Sequence, residues 1–146
     1  MKYQKKCECC GHLVTAYTHN LNVPLARALR TLVDLYEARR EPIALGELGL
    51  TTSQYTNFSH LQYFGLVLNT PEGWVPEELG IDFIYGRAFV LNPAGVMGGK
   101  VLSPGHEAWA THRGGRAETW IQELDEGSYK QRVDYQRERS ASLRLF

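Results

Sequence analysis

Leu48-Gly49-Leu50-Thr51-Thr52-Ser53-Gln54-Tyr55-Thr56-Asn57-Phe58-Ser59-His60-Leu61-Gln62-Tyr63-Phe64-Gly65-Leu66-Val67 is the stretch on which the fold turns. Gly46 to Leu50 reads as one helical turn closed by glycine. Thr51 or Thr52 can cap the next helix, whose Tyr55, Phe58, Leu61 and Phe64 point inward. Gly65 suits the position just past a helix end, where left-handed backbone is common. Leu66-Val67-Leu68 is then a strand, Asn69 to Gly73 a turn, and Trp74-Val75 the returning strand.

Upstream, Asn22 is an N-cap with Pro24 in the first turn. Leu25, Ala28, Leu29, Leu32, Val33, Leu35 and Tyr36 follow at helical spacing, so an amphipathic helix runs to about Arg39 and Pro42 ends it. Arg27, Arg30, Asp34 and Glu37 fall on its polar side. Ile43-Ala44-Leu45 is a short extended piece, and residues 77–85 make a short helix with Leu79, Phe83 and Ile84 inward. Helix, helical turn, second helix, hairpin is the order of a winged helix-turn-helix, and the wording of the stretch resembles that of many bacterial regulators with this fold. The fold class expected is α+β: a winged helix-turn-helix with an N-terminal zinc-type knuckle and a C-terminal β-hairpin extension.

The expected organisation is a cysteine knuckle and strand over residues 1–20, the winged helix over 21–86, a glycine-rich hairpin extension packed on the knuckle over 87–113, and a charged tail over 114–146. In the extension, Ala88 to Leu91 is strand-like and Met97-Gly98-Gly99-Lys100 is a tight turn. The tail is expected to be partly helical or disordered, with Trp120, Ile121 and Leu124 as a short helical anchor interrupted at Gly127 and Ser128.

Cys7-Glu8-Cys9-Cys10-Gly11 contains C-x2-C followed by glycine. A turn at this spacing aims two thiolates at one zinc ion, and glycine after the second lets backbone N–H groups face the sulfurs. Cys9 points away if Cys7 and Cys10 converge. Zinc needs four ligands. His19 lies roughly 20 Å off if residues 13–18 are a strand at ~3.3 Å each, and His12 reaches only with strain. His106 and His112 are the remote pair that would complete a Cys7, Cys10, His106, His112 site and staple the chain.

The 146 residues suffice for one compact domain, and 43% hydrophobic content is ordinary for a globular protein. No stretch approaches the ~20 apolar residues of a membrane span. Met1-Lys2-Tyr3-Gln4-Lys5-Lys6 runs into the cysteines without an apolar segment, so the expected location is the cytoplasm, that of the host if the protein is phage-encoded. HExxH, the phosphate-binding GxxxxGK[ST], GxSxG and the deaminase zinc signature are all missing, which points to a binding protein rather than an enzyme, with no small-molecule substrate evident. Formal net charge is zero, yet Glu41 to Gly86 holds no Lys or Arg. Glu41, Glu47, Glu72, Glu77, Glu78 and Asp82 give that window a charge of −6.

With knuckle, helix and hairpin in place, the chain resembles a set of small proteins common in phages and prophages. The likeness rests on Cys7–Gly11, Tyr17, Asn22, Leu61–Val67, Trp74, Gly86–Val90 and Gly99–Leu102, and spans residues 7 to about 103. It implies a mobile-element origin and a winged-helix fold, and it supplies no established activity. His106 and His112 fall outside the matching part.

Three binding modes follow. In the first, the helix at 52–64 reads DNA with Thr52, Ser53, Thr56, Asn57, Ser59, His60 and Gln62, against the repulsion of an acidic surface. In the second, the same residues and the acidic face dock a basic surface of a host or phage protein, as an adaptor or inhibitor of host defence or transcription. In the third, Lys2, Lys5, Lys6 and the C-terminal arginines bind nucleic acid on another face.

Overall fold

The computed structural model describes residues 3–112 and 116–130. It is a mixed α+β structure of small sheets with, among the described residues, four α-helices. Two strands open the chain, β1 (Gln4–Lys6) and β2 (Leu13–His19), followed by α1 (Val23–Arg39), a 3-10 turn at Leu45–Leu48 and α2 (Thr52–Asn57). A 3-10 segment at Phe58–Phe64 leads to β3 (Val67–Thr70), β4 (Gly73–Pro76) and α3 (Glu78–Ile84). Then come β5 (Val90–Asn92), β6 (Ala94–Met97), β7 (Lys100–Val101), a 3-10 turn at Glu107–Thr111, β8 (Ala117–Thr119) and α4 (Ile121–Leu124), with a last 3-10 turn at Glu126–Ser128.

Asn22 caps α1 by accepting from the Leu25 N–H at 3.0 Å. The helix ends at Arg39, ahead of Pro42: Arg40 takes a left-handed conformation (φ 56°) and its N–H returns to the Tyr36 carbonyl at 2.7 Å. Leu25, Ala28, Leu29, Leu32 and Val33 are buried along the inner face. They meet Phe58, Leu61, Phe64, Leu66, Phe83 and Ile84 in the main core.

Thr51 and Gln54 form a reciprocal capping box at the start of α2. The single helix expected over 52–64 changes pitch at Phe58. Phe58, Leu61 and Phe64 are three residues apart, and a 3-10 helix repeats every three, so all three point inward and are buried. Tyr55 lies in the α-helical part, where three residues fall short of a full turn. It rotates out of the stripe and is 56% exposed rather than inward. Gly65, at φ +74°, closes the segment.

The β3–β4 hairpin turns on Pro71 and Glu72, since Thr70 already pairs with Gly73. Ile43 bonds the Trp74 backbone in both directions, at 2.9 and 2.8 Å, and lays the extended piece beside the hairpin. A larger sheet has the order β1-β2-β6-β7, with Ala16 opposite Met97 and His19 opposite Ala94. This sheet joins the first residues of the chain to the glycine hairpin, whose turn residues Gly98 and Gly99 sit at φ 58° and 77°. Under it lies a second small core of Ala16, Leu102 and Ala108, with Tyr3, Met97 and Trp109 alongside. Asn92 clasps Leu21 through its side-chain amide, which accepts at 2.9 Å and donates at 3.0 Å.

The described part of the expected tail is folded onto the domain. β8 pairs with β5, and Ile121 is fully buried in the main core as the anchor. The polar side of α1 meets this segment: Arg27 pairs with Asp125, Arg30 donates to the Ser128 carbonyl, and Lys130 bonds Glu37 and Asp34. Of the third binding mode, Lys2 and the arginines Arg132, Arg137, Arg139 and Arg144 lie outside the described residues.

Candidate metal centre

Cys7 to His12 is the loop between β1 and β2. The Cys7 N–H donates to the His12 carbonyl at 2.7 Å, and the Gly11 N–H donates to the Cys7 carbonyl at 2.9 Å. Gly11 lies in the left-handed region (φ +74°), which glycine adopts at no steric cost, and this turns the chain so that His12 can meet Cys7. The closed loop brings the sulfurs of Cys7, Cys9 and Cys10 within 4.8 Å of one another. Cys9 therefore does not point away as expected. The left-handed turn folds the loop tightly enough to put it on the same side as the other two, and its sulfur is 2.9 Å from that of Cys7.

The sulfurs differ in chemistry. The hydrogen bond from the Cys9 thiol, followed by the backbone N–H groups of Cys9 and Cys10, holds the Cys7 thiol down to about 7. Donating to Cys7 pushes the Cys9 thiol up. Cys7 thus ionises before Cys9. Lys5, Lys6 and Lys100 line an open depression of about 530 Å³ beside the sulfurs, together with Met97.

Three thiolates suit a soft or borderline metal ion; zinc, copper(I) and iron–sulfur chemistry all take such ligands. Around zinc, Zn–S bonds of ~2.3 Å put tetrahedral sulfurs ~3.8 Å apart. Cys7 and Cys9 would have to separate by roughly 0.9 Å to reach that spacing, a small adjustment in an exposed loop. The residues fit a metal ion, and the group does not single out zinc.

No histidine joins the sulfurs among the described residues. The Nδ1 of His106 accepts from the Ala108 N–H at 3.0 Å, capping its own 3-10 turn, and its ring meets Tyr3 edge-on. His112 stands edge-on to Trp109. Cys7 and Cys10 are brought together; His106 and His112 are not brought to them.

The other predicted contact residues spread over two helical pitches. Thr52, Ser53, Thr56 and Gln62 are exposed, and Asn57 is half-buried. Thr56 donates to the Thr52 carbonyl, Asn57 to that of Ser53 and Gln62 to that of Ser59, so these side chains serve their own backbone. The rings of His60 and His19 pack at a tilt of 42° with centroids 4.2 Å apart, and Tyr63 lies against both. Burial, then the charge of His60, holds His19 below the usual imidazole range. This cluster joins β2 to the 3-10 segment, and nothing in the sequence marked it, since His19 stands 41 and 44 positions from His60 and Tyr63. Among the carboxylates, Glu47 pairs with Arg39 and Asp82 with Arg87, while Glu41, Glu72 and Glu78 are exposed. No described helix is long and apolar enough to cross a membrane. No protein-family profile, curated protein or solved structure matches the chain.

Proposed function

We propose that this chain is a non-enzymatic binding module: residues 21–86 form a winged helix-turn-helix whose acidic face docks a basic surface of another protein, and the three-cysteine loop holds a structural metal ion, zinc by preference. The observation that carries the reading is that Glu41, Glu72 and Glu78 are exposed in a window of the chain with no Lys or Arg. Phosphate contacts supply most of the affinity of a DNA-binding winged helix, so this face repels DNA and attracts a cationic partner. The order α1, 3-10 turn, α2, β3–β4 supports the winged helix. The pitch change at Phe58 leaves α2 short for reading a major groove. The phage likeness makes a host defence or transcription protein the natural partner class.

DNA binding is the second reading, favoured by the exposed Thr52, Ser53 and Thr56 on the first turns of α2. A gel-shift series from low to physiological salt separates the two. The adaptor reading expects no retarded DNA at any salt. It also expects a co-purifying host protein that a Glu41→Lys/Glu72→Lys/Glu78→Lys variant no longer holds. Salt-sensitive DNA retardation by the wild type, weakened by Thr52→Ala/Thr56→Ala, would establish the second reading instead.

A further inference from the structure

A cavity of about 280 Å³ lies where the main core meets the β1-β2-β6-β7 sheet, away from the cysteines. Phe64, Leu79, Phe89, Val90 and Leu102 give it an apolar lining, and Arg116 is the only charged side chain in its wall. The guanidinium is held from two directions: its Nε donates to the Pro93 carbonyl at 3.1 Å, and its carbon lies 4.1 Å from the centre of the Trp109 ring. Its Nη1 is out of solvent and has no hydrogen-bond acceptor. A buried cationic N–H without an acceptor is costly, and among the described residues no carboxylate pairs with Arg116. Apolar walls and one fixed cation are the parts of a site for a small molecule with an anionic head.

We infer that this cavity binds a small amphipathic carboxylate, its carboxylate facing the Arg116 guanidinium and its hydrocarbon body lying between Phe64, Leu79 and Leu102. The volume sets the size. At about 30 Å³ per water-sized group it holds roughly nine such groups, a medium-chain acid rather than a lipid. The guanidinium charge strengthens a hydrogen bond to a carboxylate. The cavity is walled by the end of the 3-10 segment on one side and by β5, β6 and β7 on the other. A bound acid therefore bridges the proposed winged helix and the knuckle sheet, in the position of an effector. The inference uses no cysteine and no residue of the acidic face, so it stands or falls apart from the proposed adaptor role.

The test titrates the full chain, labelled with nitrogen-15, with octanoate, with 1-octanol and with inorganic phosphate, reading amide shifts. Saturable octanoate binding at sub-millimolar concentration is expected, with shifts at Leu79, Val90 and Leu102. Octanol and phosphate should each bind at least tenfold more weakly, the loss expected for a charge-assisted hydrogen bond or for the apolar body. Arg116→Gln should weaken octanoate by a similar factor. Octanol binding as well as octanoate, phosphate binding as well as octanoate, or no saturable shift would each overturn the inference, as would an unchanged affinity in folded Arg116→Gln. If Arg116→Gln does not fold, Val101→Trp replaces it: this half-exposed wall position on β7 can take a ring across the cavity, and undiminished octanoate binding there would also overturn the inference.

Discussion

At the scale of single residues, Cys7 and Lys130 show how a neighbour sets the chemistry of a side chain. Cys7 titrates near 7 because Cys9 donates to it, so in the metal-free protein its alkylation by iodoacetamide should rise with a midpoint near pH 7. Cys9→Ala should raise that midpoint, whereas Glu8→Gln should leave it in place. Mass spectrometry of the labelled peptide reads both, and a Cys7 midpoint near that of an ordinary thiol would contradict the geometry. Lys130 is the opposite case. Burial works against its charge, but hydrogen bonds to Glu37 and Tyr85 outweigh that and raise it above the usual lysine range. A raised lysine contributes stability that is fully present below its unfolded value, near 10.4, and is lost as pH climbs through the folded value. Tyr85, also raised by burial and by Glu37, acts in the same direction. Lys130→Met should therefore cost about 1–3 kcal/mol at pH 7, from urea unfolding. The gap between variant and wild type should narrow above about pH 10.4.

At the scale of elements, two glycines make opposite predictions. Gly80 on α3 sits so close to β3 that a Cβ there would overlap the carbonyl oxygen of Leu66, a backbone atom that cannot step aside. Gly80→Ala should cost about 3 kcal/mol. Gly46, in the 3-10 turn before α2, has open space where a Cβ would go, and Gly46→Ala should be neutral or stabilise by about 0.5 kcal/mol. Thermal denaturation of the pair checks both signs. Much at this scale was legible in advance. The Asn22 cap, the turn closed by Gly49, the Gly65 stop and the Gly98-Gly99 turn each depend on a few adjacent residues with a specific backbone need. The pitch change at Phe58 was not legible, because period-three and period-3.6 stripes look alike over seven residues; burial of all three apolar side chains chose between them.

At the scale of the molecule, the unread features are those that join distant residues. Cys7 and Cys10 were recognisable from spacing, but Cys9 entered the cluster through loop closure, and His106 was used up by a local cap. The His19–His60 pair and the Arg116 cavity arise where the two cores meet, and no local pattern encodes a meeting. A metal ion bound only by the folded loop should stabilise the chain. At a hundredfold excess over its dissociation constant the gain is about 2.7 kcal/mol, or on the order of 5–10 °C for a chain of this size. Zinc addition should produce that rise, chelation should reverse it, and Cys7→Ser/Cys10→Ser should show neither. A wild-type melting temperature indifferent to zinc and to copper(I) would leave the three sulfurs without a metal role.

The sheet order β1-β2-β6-β7 also sets a schedule during synthesis. The cysteine hairpin is local, with Gln4 facing Thr15, and is complete within the first two dozen residues. Its other neighbour, β6, places Met97 opposite Ala16, 81 residues later in the chain. At about 5–20 residues per second, the ribosome delivers that strand roughly 4–16 s after the hairpin. Throughout that interval one edge of β2, bearing exposed Leu13 and Tyr17, is unpaired. A hairpin that captures its ion at once would wait as a formed template rather than a loose strand, and the nascent chain would have fewer ways to pair that edge wrongly.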